Sequence, residues 1–385
     1  MVNDQEKYFV FNGKKSSDFG VWASELSLME SPAKRVEIIE VAGRNGDIII
    51  EDGSYENVDL KFKDCFIIQD FAKNFSRLKA FLYRQKGYKR LETPWLPDEY
   101  RLAEFDGVIS PTIRVWEGFG KFDITFNCKP QRFLKVGDDP IIIIAPTSDM
   151  NTPIIEYPEY GADLQRIVFK MNSLPASGEV TLTLYLSDTL NPSHTTSSSI
   201  TVTDYDEHTF SVSPVYNQWK LAVTGTGAGS DSLEDVVIEL VYANAKINDQ
   251  SVSLNGCIIT RNYTIANPTG FRCKPVIRVI GRGFPISYIT TGENIDSGEQ
   301  WSLSWNLDSS IVPDEFYMDC ENEYIYYVDN GIRINLTNYI SIVHYDEQGN
   351  NVPVSFPAMG EDQTTIAFGA ITAGIILLYP HWYTI

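Results

Sequence analysis

Short alternations of apolar and polar residues recur along most of the chain, and this period of two predicts β-strands. In the middle of the chain such segments are separated by turn residues, as in a β-sandwich or jelly roll. They are 166–171, 179–186, 200–203, 209–213, 219–224 and 235–242. Between two of them, residues 191–199 (NPSHTTSSS) have the polar composition of a loop. The pattern therefore predicts a mainly β protein.

One segment follows a different period and predicts an α-helix. Its apolar side chains are spaced so that they share one helical face. They are Phe71, Phe75, Leu78 and Leu82. We expect Asp70 to cap the N-terminus and Gly87 to stop the helix at its C-terminus.

The apolar run 366–379 (IAFGAITAGIILLY) is uncharged, but it is shorter than the roughly 20 residues of a membrane helix. Gly369 and Gly374 divide it into pieces of strand length. We therefore expect two buried strands here and no membrane span.

Two apolar runs, 36–41 (VEIIEV) and 48–50 (III), flank the turn-forming residues 43–47 (GRNGD). Apolar runs around an Asn-Gly turn indicate either a β-hairpin or a long flexible loop. The pattern alone leaves both open.

Charge is distributed unevenly along the 385 residues, and the net charge is −20. Residues 1–135 hold 21 basic and 21 acidic side chains, 140–255 hold 4 and 14, and 256–385 hold 6 and 14. The shift near 136–140 predicts a domain boundary. A chain this acidic lacks the basic surface with which proteins hold phosphates, which argues against sequence-specific nucleic-acid binding.

The sequence offers no motif for catalysis, a cofactor or a metal. The four histidines form no HExxH motif, and the five cysteines form no CxxC pair, so we expect buried, reduced thiols. Residues 204–208 (DYDEH) have carboxylates that suit calcium, but a solvated turn is the better interpretation. A hydrolase of cell-wall sugars has only the abundance of carboxylates in its favour. We predict a protein that is not an enzyme and holds no cofactor or metal.

Aromatic residues of the acidic central segment suit a carbohydrate ligand, because exposed aromatic rings stack against sugar rings. The candidate residues are Tyr157, Tyr160, Tyr216 and Trp219, and the segment also holds Tyr185, Tyr205 and Tyr242. A core position is the better interpretation of any one of them, and Trp219 lies in a strand-like run, QWKLAV. As a set they make glycan binding a reasonable hypothesis.

Several separated motifs at both ends of the chain resemble, in order, the distal tail protein (Dit) family of long-tailed phages with non-contractile tails. Towards the N-terminus the matching segments are 9–22 (FVFNGKKSSDFGVW), 36–58 (VEIIEVAGRNGDIIIEDGSYENV), 87–107 and 118–137. Towards the C-terminus they are 267–283 (NPTGFRCKPVIRVIGRG), 316–326, 356–369 and 379–385. The resemblance covers roughly two-thirds of the chain.

The resemblance implies a fold and a role. Residues 1–137 would form a β-sandwich with one helix and a long hairpin, and six copies would close into a ring. Residues 138–144 and 256–385 would form a galectin-like β-sandwich. The ring would join the tail tube protein to the tail-tip hub, leave a channel for DNA, and lie at the distal end of the virion tail after synthesis in the host cytoplasm. No catalytic residues come with the resemblance.

Residues 145–255 depart from the family pattern and resemble an inserted, carbohydrate-binding-like β-sandwich that would hold host surface polysaccharide. For contacts between copies or with the tube, the candidates are the loop residues Arg44, Asn45, Gly46 and Asp47 with their flanking strands. Without the resemblance, an ordinary surface hairpin would be preferred. The alternative function is a stand-alone carbohydrate-binding adsorption protein with no ring role.

Overall fold

The computed structural model divides the chain into two compact units, unit 1 (Met1–Gly137 and Trp382–Ile385) and unit 2 (Asp138–His381). The described residues are 8–23, 25–26, 28–43, 45–105, 107–114, 119–146, 150–152, 154–156, 166–175, 178–188, 193–212, 215–225, 236–247, 250–280, 287–295, 297–306, 315–346, 348–352, 358–369 and 374–385. Within them the protein is mainly β and has one α-helix, so the predicted fold class is confirmed.

Unit 1 contains the α-helix and the first ten strands. The strands are β1 (Val10–Phe11), β2 (Lys14–Lys15), β3 (Glu25–Leu26), β4 (Lys34–Ile39), β5 (Ile48–Tyr55), β6 (Val58–Ile67), β7 (Lys89–Thr93), β8 (Leu96–Glu104), β9 (Thr112–Arg114) and β10 (Phe119–Leu134). The helix is α1 (Phe71–Arg84). The C-terminal strand Tyr383–Thr384 also pairs with β10. Short 3-10 helices cover Ser16–Phe19, Lys135–Asp138 and Thr337–Tyr339.

Apart from β4 and β5, the strands of unit 1 form one hydrogen-bonded sheet in the order β2-β1-β7-β8-β10-β6-β3, and β9 and the C-terminal strand join it at β10. Strand β6 alternates buried and exposed positions over its first half, as the period of two predicts. Its inward side chains meet aromatic residues of β1 and β10 in a phenylalanine-rich core. The rings of Phe62 and Phe126, for example, pack edge to face at 5.7 Å.

Helix α1 covers this core, and the four apolar residues predicted to share a face are all buried. Asp70 stands at the N-cap position, but its backbone is left-handed (φ 48°) and its side chain makes no capping hydrogen bond. The helix ends at Arg84 with Gln85 as the cap, so the prediction that Gly87 stops it is wrong. Gly87 instead makes the following turn, with φ +64°. Phe71 lies against Gly120 so closely that a Cβ there would come within 2.1 Å of the ring.

Unit 2 contains the remaining strands. They are β11 (Ile141–Ala145), β12 (Ile155–Glu156), β13 (Arg166–Ser173), β14 (Val180–Ser187), β15 (Thr195–Val202), β16 (His208–Ser211), β17 (Gln218–Gly225), β18 (Val237–Tyr242), β19 (Asn244–Ile247), β20 (Gln250–Ser253), β21 (Cys257–Ile259), β22 (Asn262–Ala266), β23 (Val276–Ile280), β24 (Ser287–Asn294), β25 (Glu299–Asn306), β26 (Glu315–Asp319), β27 (Tyr324–Asp329), β28 (Ile332–Asn335), β29 (Ile340–Tyr345), β30 (Asn351–Val352), β31 (Gln363–Gly369) and β32 (Gly374–Tyr379). The strand of unit 1 at Tyr383–Thr384 completes the series as β33.

Three larger sheets organise unit 2. Their strand orders are β16-β13-β18-β21-β11-β32-β23-β26-β27-β28, β12-β17-β14-β15, and β22-β31-β24-β25-β29-β30. The predicted loop at 191–199 is wrong in part, because Thr195–Ser199 belong to β15. Among the described strands, β15 pairs with β14 alone, and its side chains are mostly exposed, so a polar composition suffices for it.

The first two of these sheets share one hydrophobic core, as in a β-sandwich. That core contains side chains of the predicted insert, such as Phe169 and Leu184, together with Ile144 and Leu377 from outside it. Residues 145–255 therefore share both a sheet and a core with the chain that flanks them. Their standing as a separate inserted domain stays a prediction.

The apolar run near the C-terminus forms β31 and β32, which confirms the prediction of two strands. They belong to different sheets of unit 2. The described part of the chain contains no helix long and apolar enough to cross a membrane.

Candidate functional site

Strands β4 and β5 form a two-stranded sheet of their own, which confirms the hairpin interpretation of 36–50 over the flexible loop. The register places Ile38 opposite Ile49 and Ile39 opposite Ile48. Because side chains alternate along a strand, these two pairs lie on opposite faces of the hairpin. We call the segment Lys34–Tyr55 the hairpin.

Both faces of the hairpin expose large apolar side chains. Ile38 is 59% exposed and Ile49 is 61% exposed on one face, whereas Ile39 is 37% exposed on the other. Ile50, which shares this second face with Ile39, is 49% exposed. Isolated hairpins are at best marginally stable in water, and strands that are apolar on both faces are usually covered on both. The hairpin therefore has the properties of a surface that a partner covers.

The loop at the end of the hairpin is less informative than its strands. Asn45, Gly46 and Asp47 are exposed, and Gly46 adopts φ +84°, a conformation that favours glycine. Arg44, the fourth residue predicted for this contact, lies outside the described residues. The apolar exposure lies in the flanking strands, and the run 48–50 (III) was its signal in the sequence.

Charges on the hairpin are mostly negative beyond its base. At the base, Lys34 Nζ lies 3.1 Å from Glu51 Oε2, and this hydrogen bond raises the pKa of Lys34. Beyond the two basic residues at the base, Lys34 and Arg35, residues 36–55 include five acidic residues and one basic residue. The hairpin is therefore both apolar and acidic.

The aromatic residues predicted to bind sugar are placed differently from one another. Trp219 is 1% exposed and lies in the core shared by the two sheets, so its ring is not accessible to a sugar. Tyr216 is half-buried and packs against the same core. Tyr157 and Tyr160 lie outside the described residues. Side chains of β17 point alternately to its two faces, and the sequence does not show which face is buried. The sequence alone therefore could not decide whether Trp219 is buried or exposed.

Two other tyrosines of the central segment are accessible. Tyr185 on β14 is 46% exposed, and Tyr205 is 62% exposed in the bend before β16. Tyr185 stands between Ser197 on β15 and Lys220 on β17. An exposed ring between a hydroxyl and an amine is a suitable contact for a sugar. Only the burial pattern of the folded sheet distinguishes these tyrosines from Trp219.

The resembling segments towards the C-terminus meet in a network of buried polar groups. The Asn267 amide donates to the carbonyl oxygens of Phe271 (2.7 Å) and Gly360 (2.8 Å). Thr364 donates to Asn294 at 2.8 Å and accepts from the Gly360 backbone at 2.8 Å. The network joins loops that are far apart in sequence.

A charged group continues this network. Glu299 is 7% exposed and contacts Arg272 through one carboxylate oxygen, while His344 Nε2 lies 2.5 Å from the other. Asn294 donates to Glu299 at 3.0 Å. A buried carboxylate needs hydrogen-bonding or charged partners, and here Arg272, His344 and Asn294 of the same chain supply them. The arrangement therefore holds loops together.

The calcium candidate at 204–208 is a turn. The Asp204 carboxylate accepts from the Asp206 backbone at 3.1 Å and lies 2.8 Å from His208 Nε2. The hydrogen bond with His208 lowers the pKa of Asp204. Among the described residues no group of three or more His, Cys, Asp or Glu side chains is placed to hold a metal ion.

All five cysteines are buried free thiols. Burial raises the pKa of Cys65, Cys128, Cys257 and Cys273 to about 12, and it raises that of Cys320 further. Thiolates are the nucleophilic form of cysteine, so these thiols are unreactive at neutral pH in the folded protein.

No protein-family model matches the sequence, and no curated protein matches it either. Solved structures of phage proteins do. The SPP1 Dit protein (gp 19.1), described as a paradigm of the hub adsorption apparatus in phages infecting Gram-positive bacteria, aligns with 9% identity and a TM-score of 0.46. The alignment covers 96% of this chain and 97% of that one.

The phage P2 baseplate in its activated conformation gives the same coverage. The structure with Ca aligns with 11% identity and a TM-score of 0.42, and the structure with Sr with 11% identity and a TM-score of 0.41. The chain is similar to phage hub and baseplate proteins over nearly its whole length.

Proposed function

We propose that this protein is a structural component of a phage tail, a distal tail protein whose copies assemble into a ring. The observation that carries the proposal is the hairpin, whose apolar side chains are exposed on both faces in the single chain. It lies within segment 36–58, one of the ordered motifs that resemble the family. The role is structural, and no catalytic step is part of it.

A ring fits the charge distribution of unit 1. Head-to-tail closure joins two different surfaces of each copy, and these surfaces must complement each other. Unit 1 holds 21 basic and 21 acidic residues, so it can supply both signs. By the resemblance, the ring has six copies, joins the tail tube protein to the tail-tip hub at the distal end of the virion tail, and encloses a channel for DNA.

The test is the mass of the purified full-length chain in solution, with negative-stain images of the same sample. We expect a particle of about six times the 43.5 kDa of the chain, with a central hole. A monomer at all concentrations, with binding to host polysaccharide, would instead support the stand-alone adsorption protein.

A second function, binding of host surface glycan by the central segment, is favoured by the exposed rings of Tyr185 and Tyr205. Deleting 145–255 is a poor test, because that segment shares its core with Ile144 and Leu377. We would compare Y185A/Y205A with Y345A, which removes a tyrosine that is 40% exposed elsewhere in unit 2. Binding to host cell-wall polysaccharide should fall for the first variant only. Equal binding by the unaltered protein and both variants would remove Tyr185 and Tyr205 from the proposal.

A further inference from the structure

The segment from Phe71 to Leu91 contains seven basic residues and no acidic residue, in a chain of net charge −20. Most of it is helix α1, which is exposed on its outer side. Such a concentration of one sign is unusual in a protein whose overall charge has the opposite sign, and it requires a physical reason. Charges of one sign grouped on one surface steer partners of the opposite sign.

The cations of α1 point away from the core. At 100° per residue, Lys73, Arg77 and Arg84 fall on one stripe opposite the buried stripe of the helix. All three are exposed, and none forms an ion pair among the described residues. Arg77 donates only to Asn74, at 3.3 Å, and lies over the ring of Phe19. The stripe is therefore open to a partner.

Next to the cations runs a stripe of small side chains. Ala72, Ser76 and Ala80 are exposed and follow one another at intervals of four residues, with Lys79 on their far side. Small residues on a helix leave a shallow groove in which an apolar strand can lie close to the backbone. Tyr83, which is 56% exposed, stands on the same side one turn further along and ends the stripe. The outer face of α1 thus has a short groove of small side chains, with Lys79 on one side of it and Lys73, Arg77 and Arg84 on the other.

The hairpin has the complementary pattern. Ile38 and Ile49 share one face of the hairpin and fit a shallow groove, and the exposed carboxylate of Glu40 follows two residues after Ile38. Glu37 belongs to the other face, with Ile39 and Ile50. Both surfaces belong to unit 1 and are exposed in the single chain. One copy therefore carries both halves of a heterologous contact.

We propose that the outer face of α1 receives the hairpin of a neighbouring copy, so that isoleucines fill the groove and hairpin carboxylates pair with Lys73, Arg77 and Arg84. This inference rests on the proposed ring and identifies the surface that the hairpin covers. A nucleic acid is a poorer occupant, because the net charge of −20 repels a polyanion and the groove suits apolar side chains.

The test is a charge swap in the full-length chain. K73E/R77E/R84E should weaken assembly by roughly 100-fold at low salt, because attractions become repulsions. E40K should weaken it as well, and E40K added to K73E/R77E/R84E should restore part of the assembly. E37K, on the other face of the hairpin, should assemble like the unaltered protein. The conservative variant K73R/R77K/R84K keeps the charge and should assemble like the unaltered protein.

A second measurement tests the contact directly. Unlabelled and ¹⁵N-labelled copies of the chain are mixed, so that links between copies can be told from links within one copy. The mixture is then treated with a carbodiimide, which joins carboxylates to amines in contact. In the unaltered protein we expect links between Glu40 of one copy and Lys73 or Lys79 of another. Normal assembly of K73E/R77E/R84E, together with no such link in the unaltered ring, would overturn this inference and leave the proposed ring intact. A chain that neither assembles nor cross-links would overturn both.

Discussion

Replacing the two most exposed isoleucines of the hairpin should dissociate the ring into single chains that remain folded. The variant is I38T/I49T, since threonine keeps the β-branched shape that suits a strand and removes most of the apolar surface. The two residues face each other across β4 and β5, so the variant changes one continuous patch.

The magnitude follows from their exposure. Fully burying an isoleucine stabilises by about 1.5–3 kcal/mol. Because Ile38 is 59% and Ile49 is 61% exposed in the single chain, covering them would contribute about 1–2 kcal/mol each. Threonine keeps one methyl group, so the lower end applies, and the dissociation constant of each interface should rise by about 30-fold. Folding of the single chain should lose about 1 kcal/mol per site, since most of each side chain was already in water.

The assay is sedimentation of the variant over a range of concentrations, together with its thermal unfolding. The matched control is V328T/I332T, which changes exposed β-branched residues of β27 and β28 in unit 2 (43% and 68% exposed). The control should assemble normally. If I38T/I49T assembles as tightly as the control, the hairpin is not an interface and the reasoning from its exposure is refuted.

Three further predictions concern the single chain. Trp219→Ala should lower the free energy of unfolding by about 3–5 kcal/mol in chemical denaturation, and a stable variant that has lost only glycan binding would contradict its place in the core. Gly120→Ala should cost about 1–3 kcal/mol, because its Cβ would meet the Phe71 ring. Gly107→Ala, whose Cβ would make only ordinary contacts, is the control and should be nearly neutral in the same measurement. Burial raises the pKa of the five cysteines, so in the folded protein they should resist a thiol reagent at pH 8. All five should react in denaturant. Fast reaction of any one of them in the folded protein would show that this thiol is accessible.

Features that depend on local pattern could be predicted from the sequence. The spacing of Phe71, Phe75, Leu78 and Leu82 identified the helix and its buried face, because the period of a helix is visible within a few turns. The hairpin was predicted as one of two alternatives from the apolar runs around its turn. The exposure of both faces of the hairpin could not be predicted, because the run 48–50 would look the same in a strand buried between two layers.

Features that depend on distant parts of the chain could not be predicted. Strand β15 exists because its backbone bonds to β14, and its polar side chains carry no sign of that pairing. The contacts among Arg272, Glu299 and His344 join residues from three separate segments. The position of Trp219 likewise depends on which face of β17 the second sheet covers.

The ten-stranded sheet of unit 2 has a mechanical consequence. Strand β18, in the central segment, bonds to β21, which bonds to β11 and then to β32 outside that segment. A force directed along the strands of the central segment would load these rows of peptide hydrogen bonds together. The segment would transmit tension to the remainder of unit 2 without first extending a slack tether. The central segment is thus suited to bearing a load.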